Sequence, residues 1–148
     1  MVPRILADGA SRLSRPTLRG VSMNIVFDIH KYSQTSSDKI EYNSVIFKAE
    51  LPKEIDEDDS RDLWFFLVTL ISGGALKLIV DMKNCEFIDN SGIDVLINAT
   101  KLARNNNGEI ILAGASDKFV DIFRGINLEN YMKFFNSEGE AVKFLRLI

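Results

Sequence analysis

Two stretches of the chain, ALKLIVDM at 75–82 and EIILAGA at 109–115, are nearly unbroken runs of apolar residues. A strand with one face in water alternates apolar and polar side chains, so runs like these mark strands covered on both faces. Such strands need helices above and below them. The sequence supplies these helices. Between the two runs, Ile93, Val95, Leu96, Ala99, Leu102 and Ala103 fall on or near one helical face, and the pattern runs out in RNNNG (104–108), with Gly108 as a stop. Upstream, from Ser60 onward, Leu63, Phe66, Leu67, Leu70 and Ile71 recur at helical spacing until Gly73-Gly74 halt them. Downstream, Ser116 is placed to cap a helix bearing Phe119, Val120 and Phe123 that ends near Gly125. A short strand at Met132–Phe135 follows. Ser137-Glu138-Gly139-Glu140 then has the spacing of a capping box, opening a last helix with Ala141, Phe144, Leu145 and Ile148.

Ahead of the first helix, NIVFDIHKY (24–32) alternates Ile25, Phe27 and Ile29, and SVIFKAE (44–50) forms a second strand closed by Pro52. The polar loop SQTSSDK (33–39) joins them. Two strands followed by alternating helices and strands predict an α/β fold: a mixed, mostly parallel sheet of about five strands with about four helices. A chain of 148 residues suits one domain.

Charge and composition narrow the function. Residues 1–22 carry Arg4, Arg12, Arg15 and Arg19 against Asp8, a net of +3, while the whole chain is −3, so residues 23–148 hold −6. An acidic body argues against nucleic-acid binding, which needs a basic footprint. The acidic run EIDEDD (54–59) reads as a solvated helix entrance, where acids suit the helix dipole. The leader 1–22 has Pro3 and Pro16, no apolar periodicity and no apolar core of a secretory signal. It is expected to be disordered, as an upstream extension or an addition from expression, with Met23 as an alternative start and residues 23–148 as the folded domain. The apolar stretch LWFFLVTLI (63–71) is too short for a bilayer, which takes about 20 residues. One cysteine cannot form an internal disulfide, which fits a reducing cytoplasm.

Little in the chain points to catalysis. There is no GxxxxGK[ST] or GxGxxG phosphate cradle. His30 is the only histidine and reads as a structural or exposed strand residue. A Cys85–His30 nucleophile pair has nothing to support its proximity, and a zinc site lacks ligands. No local pattern selects a pair of acids for glycosidic chemistry. Asp81 ends a buried strand, where open parallel sheets place ligands and where a receiver domain keeps its phosphoacceptor. A receiver also needs an acidic pair after its first strand, and NIVFDIHKY has one acid; Asp81 therefore reads as a turn or helix-capping group.

One corner carries the strongest signal. EFIDNSGID (86–94) sets Asp89-Asn90-Ser91-Gly92 between a strand and a helix. On its own it reads as a turn in which Asn90 or Ser91 caps the helix and Asp94 completes the cap. In context, LKLIVDMKNCEFIDNSGIDVLINATKLARNNNGEIILAGAS resembles the central stretch of a STAS domain, the fold of bacterial anti-sigma factor antagonists. The matching features are the strand ending in Asp81, the aromatic Phe87, Asp89-Asn90-Ser91-Gly92 before Ile93, the IILAG strand, the GINL turn and the EGEAVKFL helix. The resemblance spans residues 24–148.

This resemblance implies a function by binding, not catalysis, with no cofactor and no metal. The implied partners are an anti-sigma factor that is also a serine-protein kinase, and a PP2C-type phosphatase; neither nucleic acid nor a membrane span is implied. The implied contact residues are Asp89, Asn90, Ser91, Gly92 and Ile93, with Gly92 letting a partner's backbone approach. The family phosphorylates the first serine of Asp-Ser-Ser-Gly, and here that position is Asn90. Ser91 matches the second serine. Three readings stay open: Ser91 is the phosphoacceptor, binding is constitutive, or the chain is a divergent branch. A different class also stays open, a soluble STAS accessory subunit of a lipid or small-molecule ABC transport complex.

Overall fold

The computed structural model describes residues 10–13, 26–31 and 45–148. The elements run β1 (Ala10–Leu13), β2 (Val26–Lys31), β3 (Val45–Glu50), β4 (Glu54–Ile55), α1 (Glu57–Ser72), β5 (Lys77–Asp81), β6 (Phe87–Ile88), α2 (Asn90–Asn105), β7 (Glu109–Ala113), α3 (Asp117–Gly125), a 3₁₀ turn (Leu128–Asn130), β8 (Lys133–Phe135) and α4 (Glu138–Arg146). One sheet has the strand order β1-β2-β3-β5-β7-β8 and a second, two-stranded sheet pairs β4 with β6. The pairs β1–β2 and β2–β3 are antiparallel, and β3–β5, β5–β7 and β7–β8 are parallel. This is the expected α/β architecture with its four helices. Ala10–Leu13, within the leader expected to be disordered, run as a strand against Phe27–His30. The rest of that leader, Met23 and the 33–39 loop lie outside the described residues.

The two apolar runs owe their character to burial on both sides, since every residue of β5 and all but the first of β7 are buried. Leu78, Val80, Ile110 and Leu112 face α1, α2 and α3 in the larger core, which takes in Leu63, Leu67, Leu96, Ala99, Phe119 and Phe123. Ile79, Ile111 and Ala113 face the other way, with Ile46, onto Ala141, Val142 and Leu145 of α4. The rings of Phe119 and Phe123 stack at 5.7 Å, Phe134 meets Phe123 at a tilt at 5.6 Å, and together they seat α3. Helix ends follow the sequence signals. Gly73 caps α1, and Gly74 takes φ +101°, open to glycine at little cost. Ser116 accepts from Phe119 N–H. At α4, Ser137 accepts from Glu140 N–H, but Glu140 reaches back to Asn136 N–H, one residue earlier than a reciprocal box requires.

Charge is also buried on the α4 side. The Lys48 ammonium lies 3.2 Å from Glu50 and 3.1 Å from Glu138, and Lys83 lies 3.5 Å from Glu50. These pairs compensate each other where the strands of the sheet end, as buried ions must be compensated. Lys77 is buried at the opposite end and donates to the Ile148 carbonyl at 3.1 Å. Burial pushes its pKa below the ordinary lysine range.

Two outcomes are expected. Lys77→Met should raise the unfolding midpoint at neutral pH. Below the depressed folded pKa the lysine is charged in both states, so the burial cost is fully present. Above it the folded state sheds the proton, and the advantage of Met shrinks as pH rises toward the unfolded lysine value; urea unfolding across that range measures the trend. Gly92→Ala should destabilise by about 1–3 kcal/mol, because an added Cβ falls 2.7 Å from Ile88 Cγ1 and 3.0 Å from Ile55 Cγ2. A midpoint equal to or above the wild type would contradict that packing.

Candidate functional site

The corner is built by β4 and β6. They pair in parallel with Ile55 opposite Ile88. Each strand is followed at once by an aspartate that caps a helix, Asp56 for α1 and Asp89 for α2. Two helix N-termini therefore emerge side by side. At α1 the cap is reciprocal: Asp56 Oδ1 accepts from Asp59 N–H at 2.8 Å, and Asp59 Oδ2 accepts from Asp56 N–H at 3.1 Å. At α2, Asp89 Oδ1 accepts from Asn90 N–H at 2.7 Å, and its carbonyl accepts from Gly92 and Ile93. Asp89 N–H itself donates to the Ile55 carbonyl. The cap is thus Asp89, not Asn90 or Ser91, and Asp94 takes no part in it. Pairing of β6 with β4 ends the strand at Ile88, so the helix begins one residue sooner than the local pattern suggests.

Ser91 is half-buried, and its Oγ lies 3.0 Å from Ser60 Oγ on α1. Ser60 is 2% exposed and spends its own proton on the Asp56 carbonyl at 2.7 Å. A hydroxyl has one proton to give, so Ser91 is the donor to Ser60. The order is Ser91 to Ser60 to Asp56, which leaves the Ser91 oxygen with lone pairs for anything that approaches from outside. Sequence reasoning did not single out Ser60. The available signal is its phase: a serine three residues before Leu63 lies on the buried stripe.

Of the five residues expected at a contact, Asn90 is exposed and Asp89 and Ser91 are half-buried. Gly92 and Ile93 are buried. The close approach that Gly92 allows is made within the molecule, by Ile88 and Ile55.

Helix α2 has an open groove on each side. Toward α1, a groove of about 380 Å³ is lined by Glu57, Ser60 and Trp64 on one wall and by Ser91, Asp94 and Asn98 on the other. Toward α3, one of about 600 Å³ takes in Asn90, Ile97, Lys101, Ile122, Ile126 and Tyr131. Ile122, Ile126 and Tyr131 are 42%, 48% and 39% exposed, and Phe87 beside the corner is 52% exposed. Lys101 sits 5.2 Å over the Tyr131 ring. Burial, with repulsion from Asp56 and Asp62, holds the Asp59 carboxyl above the usual aspartate range.

The other candidates fall apart geometrically. Asp81 is 3% exposed; its Oδ1 accepts from Lys83 N–H at 2.9 Å, as a turn residue does, and its Oδ2 faces Lys83 Nζ at 3.6 Å. The Cys85 thiol is buried, its pKa raised by that burial, and it donates to the Phe87 carbonyl. His30 lies opposite Ile46, which is level with Lys77, at the far end of β5 from Asp81 and the Cys85 loop. Among the described residues no three His, Cys, Asp or Glu side chains are grouped to hold a metal ion, and no helix is long and apolar enough to cross a membrane.

Comparison with known proteins places this architecture. The chain is 30% identical over 65 residues to an anti-sigma-B factor antagonist of Listeria monocytogenes, a match covering 44% of this chain and 57% of that protein. In structure it is similar to the Thermotoga maritima protein TM1081, with a TM-score of 0.65 and 19% identity over 73% of this chain and 92% of that one. It is also similar to the Bacillus anti-sigma factor antagonist SpoIIAA, with a TM-score of 0.57 and 19% identity over 75% and 96%. SpoIIAA has been solved in phosphorylated and unphosphorylated forms. The model of the STAS domain family matches residues 35–141, and the chain belongs to that family.

Proposed function

We propose that this protein is an anti-sigma factor antagonist of the bacterial cytoplasm. It binds an anti-sigma factor that is also a serine kinase, through the face around the start of α2, and is switched by phosphorylation of Ser91. The observation that carries this reading is the position of Ser91: a serine hydroxyl at the second residue of a helix, reachable from an open groove and flanked by a second one with exposed apolar side chains. The Listeria relative and the two forms of SpoIIAA support it.

The chemistry follows from the hydrogen-bond order. The γ-phosphoryl of ATP passes to Ser91 Oγ, the hydroxyl proton leaves and ADP is released. Water supplied at a PP2C-type phosphatase site returns the hydroxyl and inorganic phosphate. The phosphorylated oxygen has no proton for Ser60, so Ser91 can no longer donate to it. About −1.5 to −2 of charge then stands beside Glu57 and Asp94 on the groove walls. The helix N-terminus tolerates the anion, so the change falls on the contact face and not on the fold. Asn90 has no hydroxyl and cannot accept the phosphoryl.

Incubation with ATP and an anti-sigma kinase, followed by mass spectrometry, should place phosphate on Ser91. Phosphate elsewhere, or none, sinks the switch. Ser91→Asp should weaken binding to the anti-sigma factor by about tenfold or more with an unchanged far-UV spectrum, since a charge buried in a contact costs over 1.4 kcal/mol. Ser91→Ala should take up no phosphate, and its affinity for the anti-sigma factor should be unchanged by incubation with kinase and ATP. Affinity capture that returns a transporter ATPase in place of an anti-sigma factor would overturn the partner.

A further inference from the structure

The far end of α2 is closed by a Schellman motif. Asn106 caps the helix, Asn107 follows in the left-handed region at φ +64°, and Gly108 leads into β7. Gly108 N–H donates to the Ala103 carbonyl at 2.7 Å and Asn107 N–H to the Arg104 carbonyl at 3.1 Å, the two crossed bonds of that motif. Each position makes its own demand. After glycine, asparagine is the residue that most readily enters the left-handed region, because its short polar side chain bonds locally. Gly108 is fixed by crowding: an added Cβ would fall 2.7 Å from the Leu76 carbonyl oxygen and 3.3 Å from that of Ala103. Glu109 N–H bonds to the same Leu76 carbonyl at 2.7 Å and holds the chain against it.

Together the two demands set asparagine directly before glycine, and that pair has a chemistry of its own. Base takes the proton from Gly108 N, the nitrogen bonds to Asn107 Cγ, and Nδ2 leaves as ammonia, which closes a cyclic succinimide. Water then opens the ring at either carbonyl and gives aspartate or isoaspartate. Nothing is oxidised or reduced, and water is the only co-reactant. Glycine leaves the attacking nitrogen unshielded, whereas Asn90 and Asn136 are each followed by a serine whose side chain crowds it. Asn107 is exposed, so water reaches its amide. In the closed turn, however, the proton of the attacking nitrogen is held by the Ala103 carbonyl. Turning that nitrogen onto Cγ means breaking the bond.

We infer that Asn107 is a site of spontaneous deamidation gated by the end of α2. The closed Schellman motif keeps it as asparagine, and each opening of the Gly108–Ala103 bond exposes it to conversion. Both products work against re-closing. A carboxylate at position 107 stands beside the last carbonyls of α2, the negative end of the helix dipole. Isoaspartate adds a backbone carbon next to the point where the Leu76 carbonyl leaves no room for a Cβ. The conversion is therefore a chemical record of how often the joint between α2 and β7 has opened, and it is independent of partner binding at the other end of the helix.

The full chain is incubated in mildly alkaline buffer, native and in guanidinium chloride, then digested and analysed by mass spectrometry with the aspartate and isoaspartate peptides separated. In denaturant Asn107 should convert ahead of every other asparagine. In native buffer it should convert more slowly by about tenfold or more, because only the open fraction reacts. Amide hydrogen exchange at Gly108 measures that open fraction directly, and the ratio of native to denatured conversion rates should match it, since one opening frees both the proton and the nitrogen. Asn107→Gly, which accepts φ +64° without strain, should keep the far-UV spectrum and remove the succinimide at this position. Equal rates in native buffer and denaturant, earlier conversion of another asparagine in denaturant, or a native rate unrelated to Gly108 exchange would each overturn the gate.

Discussion

Everything distinctive about this chain depends on the parallel pairing of Ile55 with Ile88. The two strands are two residues long, and by themselves would contribute little stability. Their effect is geometric. Each is followed by an aspartate in extended conformation that caps a helix, so pairing the strands sets two helix starts at one level and side by side. Ser60 can then reach Ser91 across 31 residues of sequence, and the facing walls of the α1–α2 groove are brought into register. Gly92 is required because Ile88 and Ile55 pack where its Cβ would be.

The same arrangement accounts for an unusual density of acid. Asp56, Glu57, Asp58, Asp59 and Asp89 lie within the first turns or caps of two adjacent helices. Each N-terminus carries about half a positive charge from its aligned peptide dipoles, which offsets nearby carboxylates. Two such ends together make an acidic patch sustainable with few lysines or arginines. The compensation is partial, and Asp59, half-buried beside Asp56, shows its limit in a raised pKa. What remains uncompensated, Glu57 and Asp94, lies where the groove opens to solvent.

How much of this could be read beforehand divides along physical lines. The two runs at 75–82 and 109–115 identified the central strands because burial on both faces writes itself into consecutive residues. The helix stops at Gly73-Gly74 and Gly108 and the cap at Ser116 follow from local rules that tertiary contacts left alone. The β4–β6 pair was not legible, because two residues cannot display a period. That omission moved the cap from Asp89 to its neighbours and turned Gly92 outward, since both depend on a strand contact made 33 residues away. Periodicity also reports which residues are inside and is silent on which apolar ones stay uncovered. Phe119 and Phe123 marked the inner face of α3, whereas Ile122 and Ile126, off that face, became an exposed patch.

The substitution at Asn90 is more than a shift of one position. Successive helical residues point about 100° apart, so neighbours at a helix start address different surroundings. Asn90 opens toward the α2–α3 groove with its exposed isoleucines and Tyr131, and Ser91 opens toward the α1–α2 groove with its acids and Trp64. A charge at position 90 would stand free in solvent beside exposed apolar side chains. A charge at position 91 must first displace the bond to Ser60, worth roughly 1 kcal/mol, and then acts between two carboxylates. That cost is small against the driving force of phosphoryl transfer from ATP, so it does not bar modification. What it changes is where a modification would be felt: on the side of α2 that faces Glu57 and Asp94, and through Ser60 on α1 as well.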